Sequence, residues 1–155
     1  MNTKMKAVFC PRYGAPNVLE PREVDEPTVS DTEILIRTHA FSVTTGDSRV
    51  RTLRMPAGFG LIGRLALGFT GPRQPILGSE LAGIVVAIGK EVTRFKIGDE
   101  VILYTGTKLG CYCELKSVSQ DAAVIAKPAN LSFLEAAALA ASGTTAMAFL
   151  RKGGI

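Results

Sequence analysis

Few side chains in this chain could hold a soft metal ion: three cysteines, Cys10, Cys111 and Cys113, and one histidine, His39. Zinc favours thiolate and imidazole ligands, usually four of them, so these residues would suffice if the fold gathered them. Cys111 and Cys113 stand two apart in a segment that reads as a strand, which sends both side chains to one face. The alternative for each is an ordinary half-buried thiol. Three cysteines do not suggest an oxidised disulfide framework. His39 shares a strand face with Leu35 and Arg37, which favours a structural or solvent-edge imidazole over a catalytic one.

A second cluster is cationic. No acidic residue falls between Ser48 and Ser79, whereas Arg49, Arg51, Arg54, Arg64 and Arg73 all do. Nucleic-acid binding would call for interleaved aromatics or a recognisable motif. Here the arginines are mixed with glycines, prolines and an apolar run from Leu61 to Phe69, so no nucleic acid is expected. Two readings stay open: a solvated loop rim, or an anion-binding lip over a phosphate-bearing cofactor.

With 155 residues, 46% apolar and 21% charged, the chain has the make-up of a soluble globular domain. No run approaches the roughly 20 apolar residues of a bilayer-spanning helix, so no membrane partner is expected. The first nine residues lack the hydrophobic region of a signal peptide, and a cytoplasmic address is expected.

The elements that must position these groups are mostly strands. Lys6 to Phe9, Val18 to Val24, Glu33 to Ala40, Leu81 to Ile88, Val101 to Thr105, Cys111 to Val118 and Ala123 to Ala126 read as strands. Leu81 to Ile88 is nearly all apolar, as expected of a strand covered on both faces. Residues 51–74 read as a loop. Many short strands punctuated by glycine and proline point to a barrel or sandwich. Ser132 and Glu135 then form a capping box ahead of the alanine-rich Ala136 to Ala141. Ser142-Gly143 predicts an interruption, and Thr144 to Lys152 a second helix that Gly153-Gly154 ends.

Several blocks, in this order, carry a family resemblance: Met5-Lys6-Ala7-Val8, Ser42-Val43-Thr44-Thr45-Gly46-Asp47, Gly78-Ser79-Glu80-Leu81-Ala82-Gly83 with Gly89 and Val92, Gly98-Asp99-Glu100-Val101, and Gly143-Thr144-Thr145-Ala146. Together they resemble the N-terminal, GroES-like domain of the medium-chain dehydrogenase/reductase superfamily, most closely its zinc-less quinone-oxidoreductase-like branch. The resemblance implies a mainly β fold with C-terminal helices, a GroES-like partly open β-barrel. It also implies a catalytic, substrate-side domain over residues 1–130, and a helical connection over 131–155 to an absent Rossmann domain.

In the zinc-dependent relatives the metal sits on a cysteine, the histidine of Gly-His-Glu and a second cysteine. The matching places here hold Thr44, Ser79 and about Ala141, so no zinc is expected. The resemblance assigns Thr44, Asp47, Ser79 and Glu80 to the catalytic pocket. Asp47 and Glu80 can equally serve as turn caps or ion-pair partners. Thr44, Tyr112, Thr144 and Thr145 are assigned to the cofactor, NADP(H) in a full-length parent. Thr144 and Thr145 would stand at a helix start, where a capping role is equally natural. A conjugated carbonyl, quinone or enone is the implied substrate, because its delocalised charge can accept hydride without a metal. Room is left for a homodimer. No Gly-x-Gly-x-x-Gly stands between a strand and a helix, so this polypeptide alone is expected to be inactive. A stand-alone GroES-like binding or assembly module without redox activity is the alternative.

Overall fold

The computed structural model describes residues 3–55 and 58–154. Its first two strands, β1 (Lys4–Phe9) and β2 (Glu20–Asp25), form an antiparallel hairpin. The remaining five strands are β3 (Glu33–Phe41), β4 (Glu80–Ile88), β5 (Glu100–Tyr104), β6 (Leu115–Ser119) and β7 (Ala123–Ala126). They make one curled antiparallel sheet in the order β6-β3-β4-β5-β7. Single bridges from Ala7 to Cys113 and from Phe9 to Ile76 join the hairpin to it. This is the GroES-like, partly open barrel that the family resemblance implied, and one of the two architectures, barrel or sandwich, that the strand pattern allowed.

Strand alternation explains the core. Ile34 and Ile36 on β3, Leu81 and Val85 on β4, and Val101 and Leu103 on β5 point to the concave face and bury fully. Ala82 and Ile102, of opposite parity, point outward beneath a 20-residue helix, α3 (Phe133–Lys152), and Ala40 joins them because the β3–β4 register shifts between Thr38 and Ala40. The helix presents Ala136, Ala137 and Ala140 to them. Small side chains on both surfaces let the helix approach the sheet closely. Leu81 and Ala82 are consequently buried on opposite faces, as the apolar run predicts.

Four expectations need correction. The segment 51–74 is not all loop: α1 (Thr45–Thr52) enters it and α2 (Gly60–Leu67) lies within it. Cys111 and Cys113 are not on a strand face. The Cys113 amide donates to the Cys111 carbonyl at 2.9 Å, a tight turn that separates the two side chains into different core clusters. No break occurs at Ser142-Gly143, and α3 runs through. There the Ser142, Thr144 and Thr145 hydroxyls donate back to the carbonyls of Ala138, Ala140 and Ala141, so each is satisfied without leaving the helix. Finally, α3 is long and apolar enough by composition to cross a bilayer, although it docks on the sheet through its first turns. Alanine supplies that apolarity, which is why no run of large apolar residues announces it.

Candidate functional site

At one end of the sheet, the segment after β3, the start of β4, the loop after β5 and the middle of α3 line an open cavity of about 1030 Å³. Thr44, Asp47, Ser79, Glu80 and Thr145 all line it. Tyr112 lies instead on a separate groove with His39 and Phe41, its ring 4.8 Å from that of Phe41. Thr144 is inside α3 and does not line the cavity.

Thr44 and Asp47 hold each other. Thr44 Oγ1 donates to Asp47 Oδ2 at 2.7 Å and accepts the Asp47 amide at 3.2 Å, while Oδ2 also accepts the Thr44 amide at 2.8 Å. This reciprocal capping box satisfies two amides that α1 would otherwise leave unpaired. The Thr44 hydroxyl proton is therefore committed to Asp47. The other carboxylate oxygen, Oδ1, is buried without a hydrogen-bond partner among the described residues, and so is the Tyr112 hydroxyl. Burial raises the Tyr112 pKa well above the ordinary phenol value, and the nearby Asp47 carboxylate adds to the rise. The phenol stays neutral and keeps its proton.

Glu80, 2% exposed, is a brace. Its Oε1 accepts the Ser42 hydroxyl, and its Oε2 accepts the Ala141 amide at 2.6 Å. One carboxylate thus joins the end of β3, the start of β4 and the middle of α3. Ser42 escaped the sequence reading. The antiparallel register accounts for it: Phe41 faces Leu81 across the β3–β4 pair, so Ser42, one residue on, meets Glu80, one residue back.

Ser79 differs from its neighbours. Its carbonyl accepts the Thr105 amide at 2.7 Å and the Thr105 hydroxyl at 3.1 Å, fixing its backbone. Ser79 is half-buried and lines the cavity, and its own hydroxyl makes no hydrogen bond within the described residues. On α3 the Thr145 hydroxyl donates to the Ala141 carbonyl at 2.8 Å, so toward any ligand it is left as an acceptor.

The thiols and the imidazole are dispersed. Cys10, Cys111 and Cys113 belong to three different core clusters, and His39 stacks on Phe133 at 4.4 Å. Among the described residues, no three His, Cys, Asp or Glu side chains come together as a metal cage would require. Of the cationic segment, Arg49 lines the cavity, while Arg51 donates to the Gly14 carbonyl and to Ser48.

Comparison with known proteins places this geometry. Residues 30–148 match the alcohol dehydrogenase GroES-like domain family. The quinone oxidoreductase of Pseudomonas aeruginosa is 36% identical over 141 residues, covering 90% of this chain and 38% of that protein. Among solved structures, the quinone oxidoreductase from Coxiella burnetii matches with a TM-score of 0.79 at 31% identity, covering 97% of this chain and 45% of that one. The Escherichia coli quinone oxidoreductase complexed with NADPH matches with a TM-score of 0.72 at 27% identity, over 97% and 40%. The chain therefore spans between 38% and 45% of the length of these relatives. It belongs to the alcohol dehydrogenase GroES-like domain family, in the quinone-oxidoreductase-like branch of the medium-chain dehydrogenase/reductase superfamily.

Proposed function

We propose that this chain is the substrate-side part of a metal-independent, NADPH-dependent reductase of quinones or enones. In this reading residues 1–130 form the catalytic barrel, and 131–155 lead into a nucleotide-binding domain. The observation that carries it is the Ser79 hydroxyl, a donor without a protein partner on the wall of a cavity whose other predicted hydroxyls are engaged.

When a quinone or enone accepts hydride, negative charge grows on its carbonyl oxygen. A preorganised donor aimed at that oxygen lowers the barrier, because its dipole is already in place. Ser79 can fill that role, with its backbone pinned by Thr105. Thr44 and Glu80 act behind it: the first holds Asp47 and the start of α1, the second fixes the distance between sheet and helix. NADPH, when bound, supplies the hydride. Toward it the Thr145 oxygen offers an acceptor suited to an amide N–H of the nicotinamide, and Thr44 forms the adjoining wall. Tyr112 and Thr144 stand behind this wall, not on it. Serine, threonine and alanine at the three metal positions supply neither thiolate nor imidazole, which favours acceptors that need no metal.

The test is NADPH oxidation with 1,4-benzoquinone and with an enone, comparing this chain with the longest polypeptide its gene encodes. The longer protein should turn over and the 155-residue chain should be inactive, because half a cleft cannot align the reactants. Turnover that depends on added zinc, or a gene that ends without a dinucleotide-binding segment, would remove this reading.

A further inference from the structure

The segment between α1 and β4 does something that the cavity does not need. Helix α2 and its flanks turn large apolar side chains to solvent: Phe59, Leu61, Ile62, Leu65 and Phe69 are each between 52% and 66% exposed. Isolated exposed apolar residues are ordinary, but five within eleven positions make a patch that calls for a partner. The patch is supported from beneath. Gly63 is buried against Met55, and a Cβ there would fall 2.8 Å from the Met55 side chain, so the helix rests on that residue.

Charge surrounds the patch. Arg54 immediately precedes Met55, Arg64 lies within α2, and the Arg73 amide donates to the Leu67 carbonyl at 2.6 Å, which sets Arg73 at the end of the helix. All three are exposed, and none lies within ion-pair distance of a carboxylate among the described residues. The stretch from Ser48 to Ser79 holds five arginines and no acid. A second copy of this chain would bring the same cationic segment against itself, so self-association is opposed by like charge. A nucleic acid would match the charge but leave the apolar crest in water. A phospholipid surface satisfies both at once: acyl chains take the side chains of a short helix lying in the interface, and anionic headgroups take the guanidinium groups.

We infer that α2 is a membrane-surface docking element that seats this domain on anionic phospholipid. It is a surface contact, not a span: eight residues rise only about 12 Å. The inference stands apart from the redox reading and survives its failure.

The test is cosedimentation of the 155-residue chain with vesicles of phosphatidylcholine alone and with about one-third phosphatidylglycerol. Binding should require the anionic lipid and fall with salt. Ile62→Asp with Leu65→Asp should weaken it by at least about tenfold, since both side chains would have to leave the acyl layer. Arg54→Gln and Arg73→Gln should each weaken it about fivefold. Phe149→Ser, exposed on α3, should leave binding unchanged. The aspartates replace exposed residues, and a cooperative melt checks that the protein still folds; the two arginine variants decide the matter if the double variant does not. Absence of binding, equal binding to neutral vesicles, binding lost with Phe149 instead of α2, or a dimer that the aspartates break would each overturn the inference.

Discussion

Glu80 accepts the amide of Ala141, 61 positions further along the chain, at 2.6 Å. Because its other oxygen accepts the Ser42 hydroxyl, removing the carboxylate strands two polar groups in a nearly dry site. Glu80→Ala should therefore destabilise the domain by about 2–4 kcal/mol. Glu80→Gln should cost less, since an amide can still accept from Ala141 and donate to Ser42 Oγ. Urea unfolding of the two variants checks the order.

The Thr44–Asp47 box makes a smaller contribution at the start of α1. Thr44→Ala should cost about 1 kcal/mol, lowering Tm by about 2–4 °C for a domain of this size. Calorimetry reads the shift, and no shift would mean that α1 does not depend on its cap.

Gly78 and Tyr112 are coupled by space. Gly78 has φ +88, and a Cβ at that position would lie 2.3 Å from Tyr112 Cδ1. Gly78→Ala should destabilise by about 2–4 kcal/mol, combining a left-handed backbone with overpacking. In a Tyr112→Ala background the same change should cost less, because only the backbone contribution remains. A double-mutant cycle by chemical denaturation reads the difference.

Burial pushes the Cys111 thiol up to about 12 and the Cys113 thiol to about 11, from an ordinary 9.0. Below pH 9 the folded and unfolded chains both hold these protons, so the thiols add no pH dependence. Between 9 and 11–12 the unfolded chain has released them while the folded chain keeps them, so stability falls as pH rises. Urea midpoints at a series of alkaline pH values should show that decline, flattened in Cys111→Ala and Cys113→Ala. At pH 8 a thiol reagent should modify neither cysteine until the protein unfolds.

Ser79→Ala should lower kcat for quinone reduction by roughly a hundred- to a thousandfold in the catalytically competent protein, the range of losing one aimed donor. Ser79→Thr should retain part of the rate. Stopped-flow NADPH oxidation separates this loss from any change in substrate binding.

The strand set was legible because period-two alternation is written directly into residues such as Ile34, Ile36, Val101 and Leu103. The continuity of α3 was not. Ser142 and Gly143 are poor helix formers, yet the helix runs through them, with the Ser142 and Thr144 hydroxyls satisfied by preceding carbonyls. Helix α2 was hidden among glycines, in an apolar run whose helical phase is too short to read. At the site, the family resemblance assigned Thr44, Asp47, Ser79 and Glu80, and all four line one cavity. Which hydroxyl remains free to act was out of reach, since that depends on who donates to whom. The resemblance assigned Tyr112 to the cofactor, yet Tyr112, within the turn at residues 111–113, lines the neighbouring groove.

The seam between the hairpin and the curled sheet has a kinetic consequence. The Lys6 amide donates to Glu114 Oε2 across 108 positions, and the Val8 amide donates to the Tyr112 carbonyl. On the ribosome the first strand emerges long before either acceptor exists, and a two-stranded ribbon is marginal in water by itself. The N-terminus must therefore wait for most of the chain, and contacts of such separation close late in folding. Substitutions along this seam should act mainly on how fast the finished domain opens, leaving the rate of its assembly almost unchanged.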